Sequence, residues 1–293
     1  MQHDNYRSNG WHYFNGAVDS SGKVVALADH FVKIQGQVGG MTGGGFPFNA
    51  VPGSSVQQSL IPGNIPTGYW RAPGDNGNCW AVQSFVDELA HAAGRDPIAF
   101  QTDLLKAQAS PSGGGGRGGP ISFARMNAVI QLAAEKAGWG KSLPRGQGQG
   151  FAISSTNGAC VAIIADVTVS PAGDLHVDRL VAAVDAGLIV NLSSAENQVQ
   201  GSMIDGLGAA WFLKITIAKG QTEQDNFDEY PLLRMTNAPT SAEAYFIPTQ
   251  AAPTGLGEPA LPPVAPAVCN AIFAATGKRI RTLPISGEDL KWS

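Results

Sequence analysis

Residues 161–184, VAIIADVTVSPAGDLHVDRLVAAV, decide the fold. Val161, Ile163, Ala165, Val167 and Val169 alternate with Ala162, Ile164, Asp166 and Thr168. That period of two belongs to a strand, and the second face is itself partly apolar. Pro171-Ala172-Gly173-Asp174 supplies turn chemistry into a second strand, Leu175 to Val184. Helical spacing flanks this pair. Upstream, Phe123, Met126, Ile130, Ala133 and Ala137 share one face. Downstream, a helix is predicted from Ser193, with Glu196 three residues later as a capping box. It runs through Gln198, Gly201, Gly206 and Gly208. Glycine in a helix costs about 1 kcal/mol against alanine, which predicts compensating close packing there. A Gly/Pro loop over 255–263 precedes a short apolar helix near 266–276, stopped by Gly277.

The first third opens as a hairpin, residues 6–18 and 24–35, turned by Asp19-Ser20-Ser21-Gly22. A Gly-rich loop over 36–47 follows, read as a surface loop or a ligand loop. Trp80, Phe85, Val86, Leu89, Ala90 and Ala93 then form a helical stripe closed by Gly94. Asp96 is the N-cap of a second helix with Pro97 in its first position. Residues 110–120, SPSGGGGRGGP, read as a linker. The expected division is 1–110, a linker at 111–120, and 121–293. Helices and strands mix without strict alternation, so the fold class is α+β.

The 293 residues suffice for one large domain or two medium ones. Charged residues are 14% of the chain, low against about 25% in ordinary domains, and 37 residues are glycine. This suggests close backbone packing and surface covered by other chains. The net charge is −4 with no basic cluster, which argues against a nucleic-acid groove. No apolar run is long enough to span a membrane. The start, MQHDNYRSNGWHYF, has no basic region followed by an apolar stretch and is not read as a signal peptide. Its strand-like beginning suggests part of something larger. Cys79, Cys160 and Cys269 lie far apart, which gives poor support to a disulfide framework, a zinc site or an iron–sulfur cluster in this chain. His3, His12, His30, His91 and His176 lack ligand spacing, and no GxSxG or P-loop occurs.

Two segments stand out chemically. Glu258, in Gly255-Leu256-Gly257-Glu258-Pro259, is the only charge between Glu243 and Lys278. The glycines allow close approach of a ligand, and Pro259 restricts Glu258. A carboxylate in an apolar setting can act as a base; one near a helix start is instead stabilised by the dipole. Arg71, in Tyr69-Trp70-Arg71-Ala72-Pro73-Gly74, admits either an anion or a nearby carboxylate as partner. Gln198 is polar among apolar and glycine neighbours.

These segments join others in a fixed order: Trp70-Arg71-Ala72-Pro73-Gly74 with the following helix, Ala183-Val184-Asp185-Ala186-Gly187, Gln198-Val199-Gln200-Gly201 with Gly206-Leu207-Gly208, Tyr230-Pro231-Leu232-Leu233-Arg234, and Gly257-Glu258-Pro259. In this order they resemble the molybdenum-binding subunit of the xanthine dehydrogenase and aldehyde oxidase family, closest to its isoquinoline 1-oxidoreductase beta-subunit branch. The resemblance implies molybdenum-cofactor-binding domains of mixed sheets and helices. It implies a molybdenum pterin cofactor (molybdopterin or its cytosine dinucleotide), in which the pterin dithiolene rather than a protein ligand holds the metal. It implies Glu258 as the base, Gln198 as a pterin contact, Arg71 beside the metal centre, and Gly257 as the point where the chain passes close to it. The implied reaction is hydroxylation of an aldehyde or N-heterocycle with water-derived oxygen. The implied partners are the N-terminal half of the molybdenum subunit and a small iron–sulfur subunit, without which the chain is inactive. Cytoplasm and periplasm are both compatible. Ala72 and Pro73 depart from the family's usual Gly or Ser and the Phe or Gly beyond it. Arg145-Gly146-Gln147-Gly148-Gln149-Gly150 looks like the family's Gly-Gln-Gly motif but matches the start of a Gly-rich strand. The alternative is a non-catalytic scaffold that kept the fold and lost the chemistry.

Overall fold

A computed structural model describes residues 4–35, 51, 53–107 and 123–293. The expected loop at 36–47 and linker at 111–120 lie outside the described residues.

The apolar hairpin read from 161–184 is the centre of the larger sheet. After β1 (Gly10–Val18), β2 (Val24–Ile34), β3 (Ser55–Ile61), α1 (Asp75–Ala92), α2 (Pro97–Lys106) and α3 (Phe123–Ala137) come β4 (Gln147–Thr156), β5 (Ala159–Val169) and β6 (Leu175–Asp185). The chain continues through α4 (Leu192–Trp211), the short β7 (Ile217–Ala218) and β8 (Gln221–Thr222), β9 (Ser241–Phe246) and α5 (Val264–Thr276). One sheet has the order β4-β5-β6-β9, the first pairs antiparallel and the last parallel. Both faces of β5 are buried because both are covered. Ile163, Ala165 and Val167 meet α4 and α5, whereas Ala162 and Ile164 meet α3. The architecture is thus helix, sheet, helix, as the two apolar faces require.

Close packing of α5 on β4 explains Gly148 and Gly150, whereas a Cβ on Gly146 would meet Trp292 and Val169 O. A Cβ on Gly148 would lie 2.3 Å from the Ala271 carbonyl oxygen, and one on Gly150 would lie 2.1 Å from both Ala267 O and Ala271 N. Alternate glycines on the strand face alanines spaced by four on the helix, so the backbones touch. That is a packing role for the Arg145-to-Gly150 segment, as its position in the sequence suggested.

The smaller sheet has the order β1-β2-β3. Asp19 builds the β1–β2 turn by accepting from the Ser21 and Lys23 amides. Phe14 stacks on Phe85 and carries α1 against the sheet. As expected, α1 closes with Gly94 at φ 64°, and the Arg95 amide reaches Ala90 O. Asp96 caps α2 by accepting from the Ala99 amide. Phe100 of α2 enters the core of the smaller sheet, whereas Ile98 and Leu105 enter that of the larger.

Two expectations for α4 need correction. The N-cap is Asn191, whose Oδ1 accepts from the Ser194 amide at 3.0 Å, not Ser193. Asn caps as well as Ser does, and standing two residues upstream it starts the helix earlier, which leaves Glu196 beyond capping-box distance. Of the three glycines only Gly206 is tight: its Cβ would meet Leu261 O and Val264 Cβ at 2.9 Å. Gly208 has ordinary room, and Gly201 faces open space.

The edge strand β9 is fastened by charge. Arg179 on β6 donates to both oxygens of Glu243 at 2.6 and 2.7 Å, and Tyr245 and Ser241 hydroxyls add two more bonds. The Arg179 hydrogen bonds outweigh desolvation and hold the Glu243 carboxyl down at about 2. A carboxyl depressed by folding stabilises the fold above its ordinary value and ceases to as pH falls through the folded value. The melting temperature is therefore expected to drop as pH falls from about 4.5 to 2. Glu243→Gln should flatten that part of the curve; parallel curves for the two proteins would contradict the assignment.

Candidate functional site

The four residues singled out in the sequence come together at the end of the larger sheet. Arg71 arrives from the turn before α1, in which Ala72 adopts φ 57° and Gly74 φ 83°. Left-handed backbone at a non-glycine residue is costly and here aims the Arg71 side chain across to α4. Gln198 and Asp205 lie two turns apart on the exposed face of α4, with Gly201 between them. The 255–258 loop is brought in by backbone pairing: Leu188 N donates to Ala251 O and Thr254 N to Ala186 O, both at 2.9 Å.

Arg71 ties the three segments together. Its Nε donates to Gly257 O at 2.7 Å, Nη1 to Asp205 Oδ2 at 3.0 Å, and Nη2 to Gln198 Oε1 at 3.2 Å and Gln198 O at 3.4 Å. Of the two partners left open for Arg71, the structure supplies the carboxylate, Asp205, along with three neutral oxygens. Asp205 was not foreseen, because an exposed acid at helical spacing from Gln198 looks like any solvated residue.

Glu258 is half-buried, and its Oε2 accepts from the Asn157 side-chain amide at 2.8 Å. Oε1 accepts no hydrogen bond from the described residues. The carboxylate lies six residues before α5 begins, outside the first turn where a helix dipole acts, so its role is not that of a cap. Nor is it enclosed by apolar side chains alone, as the isolated charge in the sequence suggested. Asn157 was missed, although Asn157-Gly158 between two strands is a strong hairpin signal.

Cys79, Cys160 and Cys269 are buried free thiols; burial pushes Cys269 up to about 12 and raises the other two, so none is a nucleophile near neutral pH. Among the described residues, no three His, Cys, Asp or Glu side chains are grouped to hold a metal ion, and no helix is long and apolar enough to cross a membrane.

Comparison with known proteins adds the following. The family model for the molybdopterin cofactor-binding domain matches residues 98–239, which include Gln198 and Asp205. The chain is 30% identical over 290 residues to a membrane-bound aldehyde dehydrogenase [pyrroloquinoline-quinone] of Gluconacetobacter polyoxogenes, covering 91% of this chain and 33% of that one. It is 29% identical over 252 residues to isoquinoline 1-oxidoreductase subunit beta of Brevundimonas diminuta, covering 85% and 30%. The near-equal identities single out no branch, so the expected preference for the isoquinoline branch is not upheld. The fold matches that of an aldehyde oxidoreductase from Desulfovibrio gigas with TM-score 0.75 at 14% identity, covering 99% of this chain and 49% of that one. The chain thus spans about a third of the length of these curated relatives and about half of the solved one.

Proposed function

We propose that the chain is a molybdopterin-binding subunit of the xanthine dehydrogenase and aldehyde oxidase superfamily, forming the C-terminal portion of such a subunit and one wall of its active site; the molybdopterin cofactor-binding domain model over residues 98–239 and the similarity to the curated relatives support this reading. The observation that supports this reading most is the convergence of three distant segments: Arg71 is hydrogen-bonded to Gln198 and to Gly257, and Glu258 follows Gly257 in the chain.

The residues fit a molybdenum pterin. Gln198 gives its Oε1 to Arg71, which leaves the Nε2 amide hydrogens as donors toward a heterocycle. A Cβ on Gly201 or Gly257 would meet nothing within 4 Å among the described residues, so a flat ligand has access to both backbones. The bound cofactor would supply two-electron oxidation with oxygen taken from water. Within this chain, Glu258 Oε1 is the proton-accepting atom. Arg71 acts through its neighbours: it fixes the Gly257 carbonyl and the Gln198 side chain, and Asp205 balances its charge. The substrate class is an aldehyde or an electron-poor N-heterocycle, and electrons leave to a separate iron–sulfur subunit. The division at residues 111–120 separates the parts of two cofactor-binding domains.

The test is metal content. The chain is expected to carry no molybdenum when produced alone, and about one per complex when produced with the rest of its subunit. Molybdenum absent from an otherwise assembled complex would overturn the reading and favour the scaffold. A quinone chromophore in place of the metal would favour the cofactor named for the Gluconacetobacter relative.

A further inference from the structure

We infer that Asn157 is a positioning residue for Glu258, its side-chain amide holding one carboxylate oxygen so that the other is presented to accept a proton. The inference rests on the reading of Glu258 as the base.

Asn157 and Gly158 form the two-residue turn between β4 and β5, with Thr156 paired to Ala159. Their φ values are 54° and 81°, the left-handed pair that such a turn needs. The turn is fastened on both sides. Thr156 Oγ1 donates to Asp75 Oδ2 at 2.8 Å, at the start of α1. Gly158 O accepts from Arg125 Nη1 at 2.9 Å, and the same guanidinium grips both oxygens of Asp185 at 2.7 Å. Burial alone would push the Asp185 carboxyl up, but Arg125 and the Gly187 amide outweigh it and hold it below its ordinary value. The Arg125–Asp185 pair therefore stays charged at neutral pH and keeps the turn in place.

The 255–258 loop closes on this turn, since a Cβ on Gly255 would lie 3.3 Å from Asn157 Cβ. From there Asn157 Nδ2 reaches Glu258 Oε2 at 2.8 Å. The position makes two demands: a residue that tolerates left-handed backbone, and a side-chain donor. Gly meets only the first. Asp in its ionised form tolerates the backbone but cannot donate. Asn meets both: the left-handed backbone is what the turn itself requires, and the donor is what the contact with Glu258 adds.

Asn157→Gly and Asn157→Asp therefore separate positioning from folding. In the assembled enzyme both should keep full molybdenum content and lose about ten- to a hundredfold in kcat with little change in KM, the cost of a misplaced reacting group. On the purified chain, the urea midpoints of Asn157→Gly, Glu258→Ala and the double variant should not add, because the two singles remove the same bond. Additive midpoints, or an Asn157→Gly enzyme with unchanged kcat beside an inactive Glu258→Gln enzyme, would overturn the positioning role and leave the base intact. A Glu258→Gln enzyme with normal kcat would overturn both.

Discussion

Gly150→Ala is expected to destabilise the protein by about 3 kcal/mol or more, the upper end of the usual cost of overpacking. The new methyl group would sit 2.1 Å from Ala267 O and 2.1 Å from Ala271 N, both atoms of the α5 backbone. No side chain can rotate away, so the whole helix must move off β4. Movement of α5 disturbs the core it shares with β5 and α4 and carries the preceding loop, with Glu258, away from Asn157. The contrast is Gly201→Ala on α4. There the added methyl meets open space, and relief from the poor helix propensity of glycine should leave stability unchanged or raise it by about 0.5–1 kcal/mol. Chemical denaturation of the two variants checks both signs at once. Equal effects would mean that α5 does not touch β4 through Gly150.

The glycines also show how far the sequence could be read. Alternation over 161–184 and the stripe at Phe123, Met126, Ile130, Ala133 and Ala137 are local patterns, and each became the buried face of its element. Capping at Asp96 and the stop at Gly277 are local too. By contrast β3, with the sequence SVQQSLI, is mostly exposed, and its strand state comes from parallel pairing with β2, a contact between distant residues. The edge strand β9 owes its place to Arg179 and Glu243, a pair that no periodicity marks. Which of the α4 glycines is tight depends on where α5 lies, so composition alone could not separate Gly206 from Gly201.

The site divides along the same line. Glu258 stood out as a lone charge in a glycine and proline loop, and Arg71 as a cation among aromatics and turn residues. Their connection was not visible in the residues themselves; it came from the order of motifs shared with a family. Asp205 and Asn157 carry no such mark, because their importance lies only in what they touch. For Arg71 the structure supplies one of the two partners that the residues left open, the Asp205 carboxylate, together with the Gly257 carbonyl and Gln198.

The second large effect is at Glu258. Glu258→Gln preserves the shape of the side chain and can still accept from Asn157, but it cannot take up a proton. General-base catalysis contributes about 10²- to 10⁴-fold, and the loss should appear in kcat because the proton moves in the chemical step. A charge that served only a helix terminus would instead cost about 0.3–1 kcal/mol of stability and leave turnover alone. The position of Glu258, outside the first turn of α5 and bonded to a β-turn, points away from that role.

The most direct test is the kcat of the assembled Glu258→Gln enzyme, expressed per bound molybdenum, beside its melting temperature. The account predicts full metal content, a melting temperature close to the parent's, and turnover at least a hundredfold lower. Parental turnover per molybdenum would contradict it.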